Sequence, residues 1–315
     1  MTIRRLLVVL LLVLLVIAAA LLGMAASASS LRSGARRSVA GGAERWDGRP
    51  PIDSGFPFWM VEASRKDDRV VDYSLFRTVA ESRYSSLTPE AAPQVINIMR
   101  EHLGHDLGGA DALCDLTAHV GADLANFSRA FPALRLTAVE IDDGAFAALR
   151  ENVGRIGFAD RAALHNASAL DYLGMGDDAL AAVAATCPGR DGGFAGSTAG
   201  TGTIFYADPP WGGPDYVDKK DLMLFLGGRP IHEIVARALA CGGRSFVLKV
   251  PVNFAMDAFR GGVAGGGFRV SVAPVRKVRR RPKRRARALA GAAGDAGAEG
   301  DVAFRIVVVQ NVGEK

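Results

Sequence analysis

The chain opens on an unbroken apolar run over residues 6–22, preceded by Arg4 and Arg5 and extended by small residues through 28. About 20 apolar residues span a bilayer, whereas a secretory signal has an apolar core of about 7–15 residues and a small-x-small cleavage site. Ala26-Ser27-Ala28 offers such a site, but the length favours an uncleaved anchor. Residues 29–56 are rich in Ser, Gly, Arg, Ala and Pro without periodicity and read as a linker. Beyond it, short apolar runs alternate with helical spacing. Thr88-Pro89-Glu90 reads as an N-cap, an N1 proline and an early acid, opening a helix that runs to 103. Strands are expected at 110–115, 134–141, 162–166, 203–207, 244–250, 268–275 and 302–310. Helices are expected at 121–131, at 144–156 with Phe146, Leu149 and Val153 on one face, at 177–186 and at 230–240. Residues 189–202 read as a loose loop.

That alternation predicts an α/β fold, a mostly parallel seven-stranded sheet with helices on both faces. The last two strands have no helix between them and should pair antiparallel. Three units follow: a hydrophobic segment at 1–28, the linker at 29–56 and a folded domain at 57–315. In such sheets ligands bind at the carboxyl ends of the strands, where strand order reverses. The places to look are therefore the strand ends after Asp115, Glu140, Asn166 and Asp208.

Composition changes this picture in two places. The chain has 315 residues and a net charge of +5, yet nine basic side chains crowd into residues 276–287. The rest of the chain is therefore net acidic. Such a run suits a polyanion, either nucleic acid or an anionic surface, or else is a solvated loop or sorting signal. It opens a basic, Gly/Ala-rich loop at 276–300. Cys114, Cys187 and Cys241 form no CxxC pair, so neither a disulfide framework nor a zinc site is suggested, and no metal is expected. Arg32, Arg36 and Arg37 after the apolar run outnumber the two arginines before it, which would keep the folded domain cytosolic. Two sequons, at Asn126 and Asn166, fall within elements assigned to the core and lean the same way. Without a retained anchor, cytoplasm or nucleus is expected.

The chemistry concentrates at predicted strand ends. Gly121 lies six residues after Asp115, where a glycine lets backbone approach a ligand and starts a helix. Glu140 closes the second strand 19 residues further on, the spacing at which an acid accepts from ribose hydroxyls. Asp208-Pro209-Pro210-Trp211 directly follows the strand TIFYA. Two prolines hold a rigid extended turn and leave their carbonyls as acceptors. The lone pair of an exocyclic base amine is delocalised into its ring. A carboxylate and a carbonyl accepting its N–H groups would localise that pair toward a methyl donor. Trp211 supplies a stacking face worth about 1–3 kcal/mol per base, and a cationic base gains further from cation–π attraction. Lys219 and Lys249 read either as phosphate contacts or as solvated lysines.

The stretch Asp208 to Tyr216, DPPWGGPDY, resembles the motif of the trimethylguanosine synthase family, the RNA cap guanine-N2 methyltransferases. Ser86-Leu87-Thr88-Pro89-Glu90, the loop from Asp115 to Gly121 and Phe246-Val247-Leu248-Lys249-Val250-Pro251 are similar to further segments of that family. The resemblance covers about residues 73–259. It implies a Rossmann-like class I methyltransferase fold, S-adenosyl-L-methionine as cofactor, and the 7-methylguanosine cap of RNA as acceptor, methylated at N2. By position it implies that Asp115, Thr117 and Gly121 line the methionine part of the cofactor and that Glu140 holds the ribose. It places Ser168 near the adenine amine and Thr88 near the cofactor carboxylate. Asp208, Pro209 and Pro210 form the catalytic turn, with Trp211 stacked on 7-methylguanine. Lys249 is assigned to substrate. The chain departs from the family pattern at Asp208, often serine there, at His119, at Ala122 and Asp123, which replace glycine and asparagine, and at Ser168, which replaces an acid. Two other readings remain: an adenine-N6 methyltransferase of DNA or RNA, and a membrane-tethered RNA-binding protein with a decayed site. The expected partners are capped RNA, a membrane at residues 6–28, and RNA or an anionic surface at 276–287. The chain is expected to act as a monomer.

Overall fold

The computed structural model describes residues 55–176, 202–277 and 301–311. The apolar run at 6–28, the helix expected at 177–186 and residues 278–300 of the basic loop lie outside them. Among the described residues no helix is long and apolar enough to cross a membrane.

The main sheet comprises β1 (Ala112–Asp115), β2 (Arg135–Glu140), β3 (Ala162–Asn166), β4 (Thr203–Ala207), β5 (Gly243–Val250), β6 (Phe268–Arg276) and β7 (Val302–Asn311). Its order is β3-β2-β1-β4-β5-β7-β6. Strands β1 to β5 pair in parallel, and β7 runs antiparallel to both β5 and β6. All seven expected strands form, with ends displaced by no more than two residues. The α/β fold with a mostly parallel, seven-stranded sheet and helices on both faces is therefore the observed one.

Alternation along the strands assigns side chains to two covered faces, as parallel strands buried on both sides require. Ile204 and Tyr206 of β4 join one core with Val95 and Met99 of α1 (Ala92–Leu103), Leu124 and Phe127 of α2 (Ala122–Ala130), and Leu149 and Val153 of α3 (Asp143–Ile156). Phe205 and Ala207 face the other core, with Ile234, Val235 and Ala238 of α4 (Ile231–Ala240) and Phe259 and Val263 of α5 (Met256–Val263). The helix at Met256–Val263 and another at Phe58–Lys66 were not anticipated from periodicity. Phe56, placed in the linker by composition, is buried and stacks on Tyr73 at 4.9 Å.

The helix expected from Thr88 starts later, at Ala92. Thr88 does cap a turn: its carbonyl accepts from Ala91 and Ala92, and its hydroxyl accepts from Ala91 at 3.3 Å. Pro93 has no N–H to give the Pro89 carbonyl, so the ladder misses that rung between the Ala92 bond to Thr88 and the Val95 bond to Ala91. The sequon at Asn126 is buried in α2, as expected. Asn166 is instead exposed at the end of β3, its amide donating to the Glu140 carbonyl at 3.2 Å.

Candidate active site

Strand order reverses at β1, so the crevice lies where the chain leaves β1 and β4. Asp115 ends β1 almost wholly buried, its Oδ1 accepting from the Thr117 N–H at 3.0 Å and lying 3.5 Å from the Thr117 hydroxyl. That hydroxyl accepts from the Asp208 N–H at 2.8 Å and so joins the two strand ends. Burial pushes the Asp115 carboxyl well above the usual carboxylate range. The charges of Asp123, Asp208 and Glu140 add to the push, and the Thr117 N–H opposes it.

The loop that follows carries the backbone past the β2 end. His119 has a positive φ of 48° and its N–H donates to Glu140 Oε2 at 2.7 Å. Glu140 Oε1 accepts from the Asp142 N–H, also at 2.7 Å. Each carboxylate oxygen keeps one further lone pair for a ligand hydroxyl. Burial lowers the His119 pKa, against the charges of Glu140, Glu81, Asp142 and Asp123, and its Nδ1 is buried with no hydrogen-bond partner among the described residues. Gly121 has φ +83°, and a Cβ there would sit 2.6 Å from Leu149 Cδ1. The turn thus requires glycine for its own packing, whatever else it approaches.

Asp123 was read as a departure in this loop, yet it is an internal tie. Its Oδ1 accepts from the Leu87 N–H at 2.8 Å and its Oδ2 from the Tyr206 hydroxyl at 2.9 Å. It therefore binds the segment before Thr88 to the strand that delivers Asp208. No local pattern announces this, because its partners lie 36 and 83 residues away.

Beyond β4, Gly212 and Gly213 take positive φ values of 89° and 83° to turn the chain after Trp211, and Gly213 has a ψ of −173° that glycine tolerates best. Asn253 pins this loop through its amide, donating to the carbonyls of Tyr216 at 2.7 Å and Lys219 at 2.6 Å. Lys219 itself is exposed. Trp211 is half-buried. Tyr216 meets it edge-on at 5.0 Å, Phe304 lies 6.5 Å away, and its Nε1 is buried with no hydrogen-bond partner among the described residues.

Lys249 is not solvated. It is buried on β5, its Nζ 2.6 Å from Asp208 Oδ2, 5.7 Å from the Trp211 ring centre and 5.2 Å from that of Phe304. Burial raises the Asp208 pKa to about 6, with the nearby ammonium holding it down and Asp123 pushing it up. Burial alone would depress Lys249, but the charges of Asp208, Asp123 and Asp115 and the hydrogen bond to Asp208 together outweigh it, and the pKa stands above its ordinary value.

The structure thus brings Asp115, Thr117, Asp208, Lys249 and Trp211 into one cluster, with Glu140 held beside it through the His119 loop. Ser168 does not offer a free hydroxyl. It caps a short helix, accepting from the Asp171 N–H at 3.0 Å and donating to Asp171 Oδ2 at 2.8 Å. The acid expected at Ser168 is present three residues later, as exposed Asp171. Both line a cavity of about 340 Å³ with Leu170 and the turn at Gly227, Gly228 and Arg229.

No protein-family profile and no curated protein matches the sequence. Among solved structures, the METTL16 methyltransferase domain is similar at 11% identity and a TM-score of 0.49, over 81% of this chain and 79% of that one. The human methyltransferase 10 domain containing protein is similar at 12% identity and 0.47, over 80% and 94%. Precorrin-6y C5,15-methyltransferase from Geobacter metallireducens follows at 14% and 0.42, over 78% and 98%. The strand order β3-β2-β1-β4-β5-β7-β6 defines the fold.

Proposed function

We propose that this chain is an S-adenosylmethionine-dependent methyltransferase acting on the exocyclic amine of a nucleic-acid base, N2 of the 7-methylguanosine RNA cap. The observation that supports it is Asp208 and Trp211 together at the strand-order switch, one a restrained carboxylate and the other a half-buried ring. The residues suit the cofactor in most respects. Glu140 keeps a lone pair on each oxygen for ribose hydroxyls, the Asp115-Thr117 pair borders the crevice, and the unpartnered Nδ1 of His119 lies in the same loop. Ser168 suits it less, and Asp171 takes over as the acid for the adenine amine. When bound, S-adenosylmethionine supplies an electrophilic methyl group. Asp208 and the carbonyl of Pro209 accept the N–H groups of the base and draw its lone pair outward. Pro210 keeps that turn extended, and Trp211 stacks the base. The ammonium of Lys249 is matched by Asp208, so the pair is neutral overall and tolerates a cationic base on the ring. Residues 6–28 would tether the chain to a membrane, and the basic run at 276–287 would add affinity for RNA.

The full chain should transfer labelled methyl to 7-methylguanosine cap analogues, and the product should carry it at N2. Equal transfer to unmethylated guanosine would remove the stacking argument, and transfer only to adenine would replace the acceptor with N6.

A further inference from the structure

Asp208 is held on one side only. Its Oδ2 is taken by Lys249, while Oδ1 has no hydrogen-bond partner among the described residues. The groups that face the pair are otherwise acidic: Asp123 from α2 and Asp115 from β1 act on Lys249, and Asp123 acts on Asp208. The Thr117 hydroxyl accepts from the Asp208 backbone, and the rings of Trp211 and Phe304 flank the ammonium. In so acidic and so enclosed a place, a carboxyl without a cation takes up a proton. A protonated Asp208 would present a donor to an incoming amine and lose its grip on the N–H.

We propose that Lys249 is a positioning residue: its ammonium keeps Asp208 a carboxylate and turns it so that Oδ1 is left for the acceptor amine. This rests on the function proposed above, in which Asp208 receives that amine. It also replaces both sequence readings of Lys249, because an ammonium committed to Asp208 and buried between two rings is neither a surface group nor a ready phosphate contact.

The test uses the full chain with Lys249→Met and Lys249→Arg. Carboxyl carbon resonances report the titration of Asp208, and kcat and KM are followed from pH 5 to 9 (about two units either side of neutrality). In the wild type Asp208 should titrate near 6. Lys249→Met should raise that by about one unit or more and carry the acid limb of kcat with it. For a one-unit rise kcat should then fall about twofold at pH 7, growing toward about tenfold at pH 5, at little-changed KM, while Lys249→Arg restores most of it. An Asp208 titration and an acid limb both unmoved in Lys249→Met would overturn the proposal. Should Lys249→Met fail to fold, Asp208→Asn decides. Loss of the carboxylate should lower the Lys249 ammonium titration by a comparable amount, since coupling is reciprocal, and an unchanged Lys249 titration overturns the proposal. If the wild type methylates no base, the proposed function fails, while the titrations still decide what Lys249 does to Asp208.

Discussion

Asp123→Ala removes the acceptor shared by the Leu87 N–H and the Tyr206 hydroxyl. Both donors belong to residues that are almost wholly buried. Hydrogen bonds to a charged group contribute about 1.5–3 kcal/mol each, so two make a gross loss of about 3–6 kcal/mol. Against this stand the desolvation of the carboxylate itself and its repulsion with Asp115 and Asp208. A net loss of about 3 kcal/mol follows, which in a domain of this size lowers Tm by about 6–12 °C. Urea unfolding at constant slope measures it directly. Asp123→Asn keeps an acceptor for Leu87 and an amide donor for the Tyr206 oxygen, and should lose about half as much. Removal of the charge also relieves Asp208, so the acid limb of activity should move to lower pH in the alanine variant. A stability change below about 0.5 kcal/mol, the range of ordinary surface positions, would refute the reasoning. Weaker cofactor binding with unchanged stability would mean that Asp123 faces the ligand rather than the core.

Gly121→Ala should cost about 2–5 kcal/mol in urea unfolding, from left-handed backbone and the 2.6 Å approach to Leu149. Much of the packing part should return in combination with Leu149→Ala, a coupling that a double-mutant cycle reads out. Ser168→Ala should lose about 1 kcal/mol as a helix cap, while calorimetry shows cofactor Kd changed by less than about twofold, because the hydroxyl is spent on Asp171. Trp211→Ala should abolish methyl transfer and leave cofactor binding nearly intact. Loss of both would make Trp211 a structural residue, a role its contacts with Tyr216 and Phe304 also allow.

The sequence by itself determined the seven strands, their mostly parallel pairing, the antiparallel closure and the strand ends at Asp115, Glu140 and Asp208. These follow from short-range regularities, since a strand buried on both faces must be a continuous apolar run and a chain leaving it must carry its polar groups at the end. Helix starts were less legible: one proline, Pro93, shifted a boundary that Thr88 and Pro89 had signalled. Only the tertiary structure decided which polar groups spend their hydrogen bonds on the protein. Asp123 looked like damage to a cofactor loop and is a tie between Leu87 and Tyr206. Ser168 looked like a ligand contact and is a helix cap, and Lys249, which read either as a phosphate contact or as a solvated lysine, is the buried partner of Asp208. A buried polar atom has to be matched by whatever the fold brings within about 3 Å. For Lys249 that partner lies 41 residues away, a distance over which local pattern carries no information.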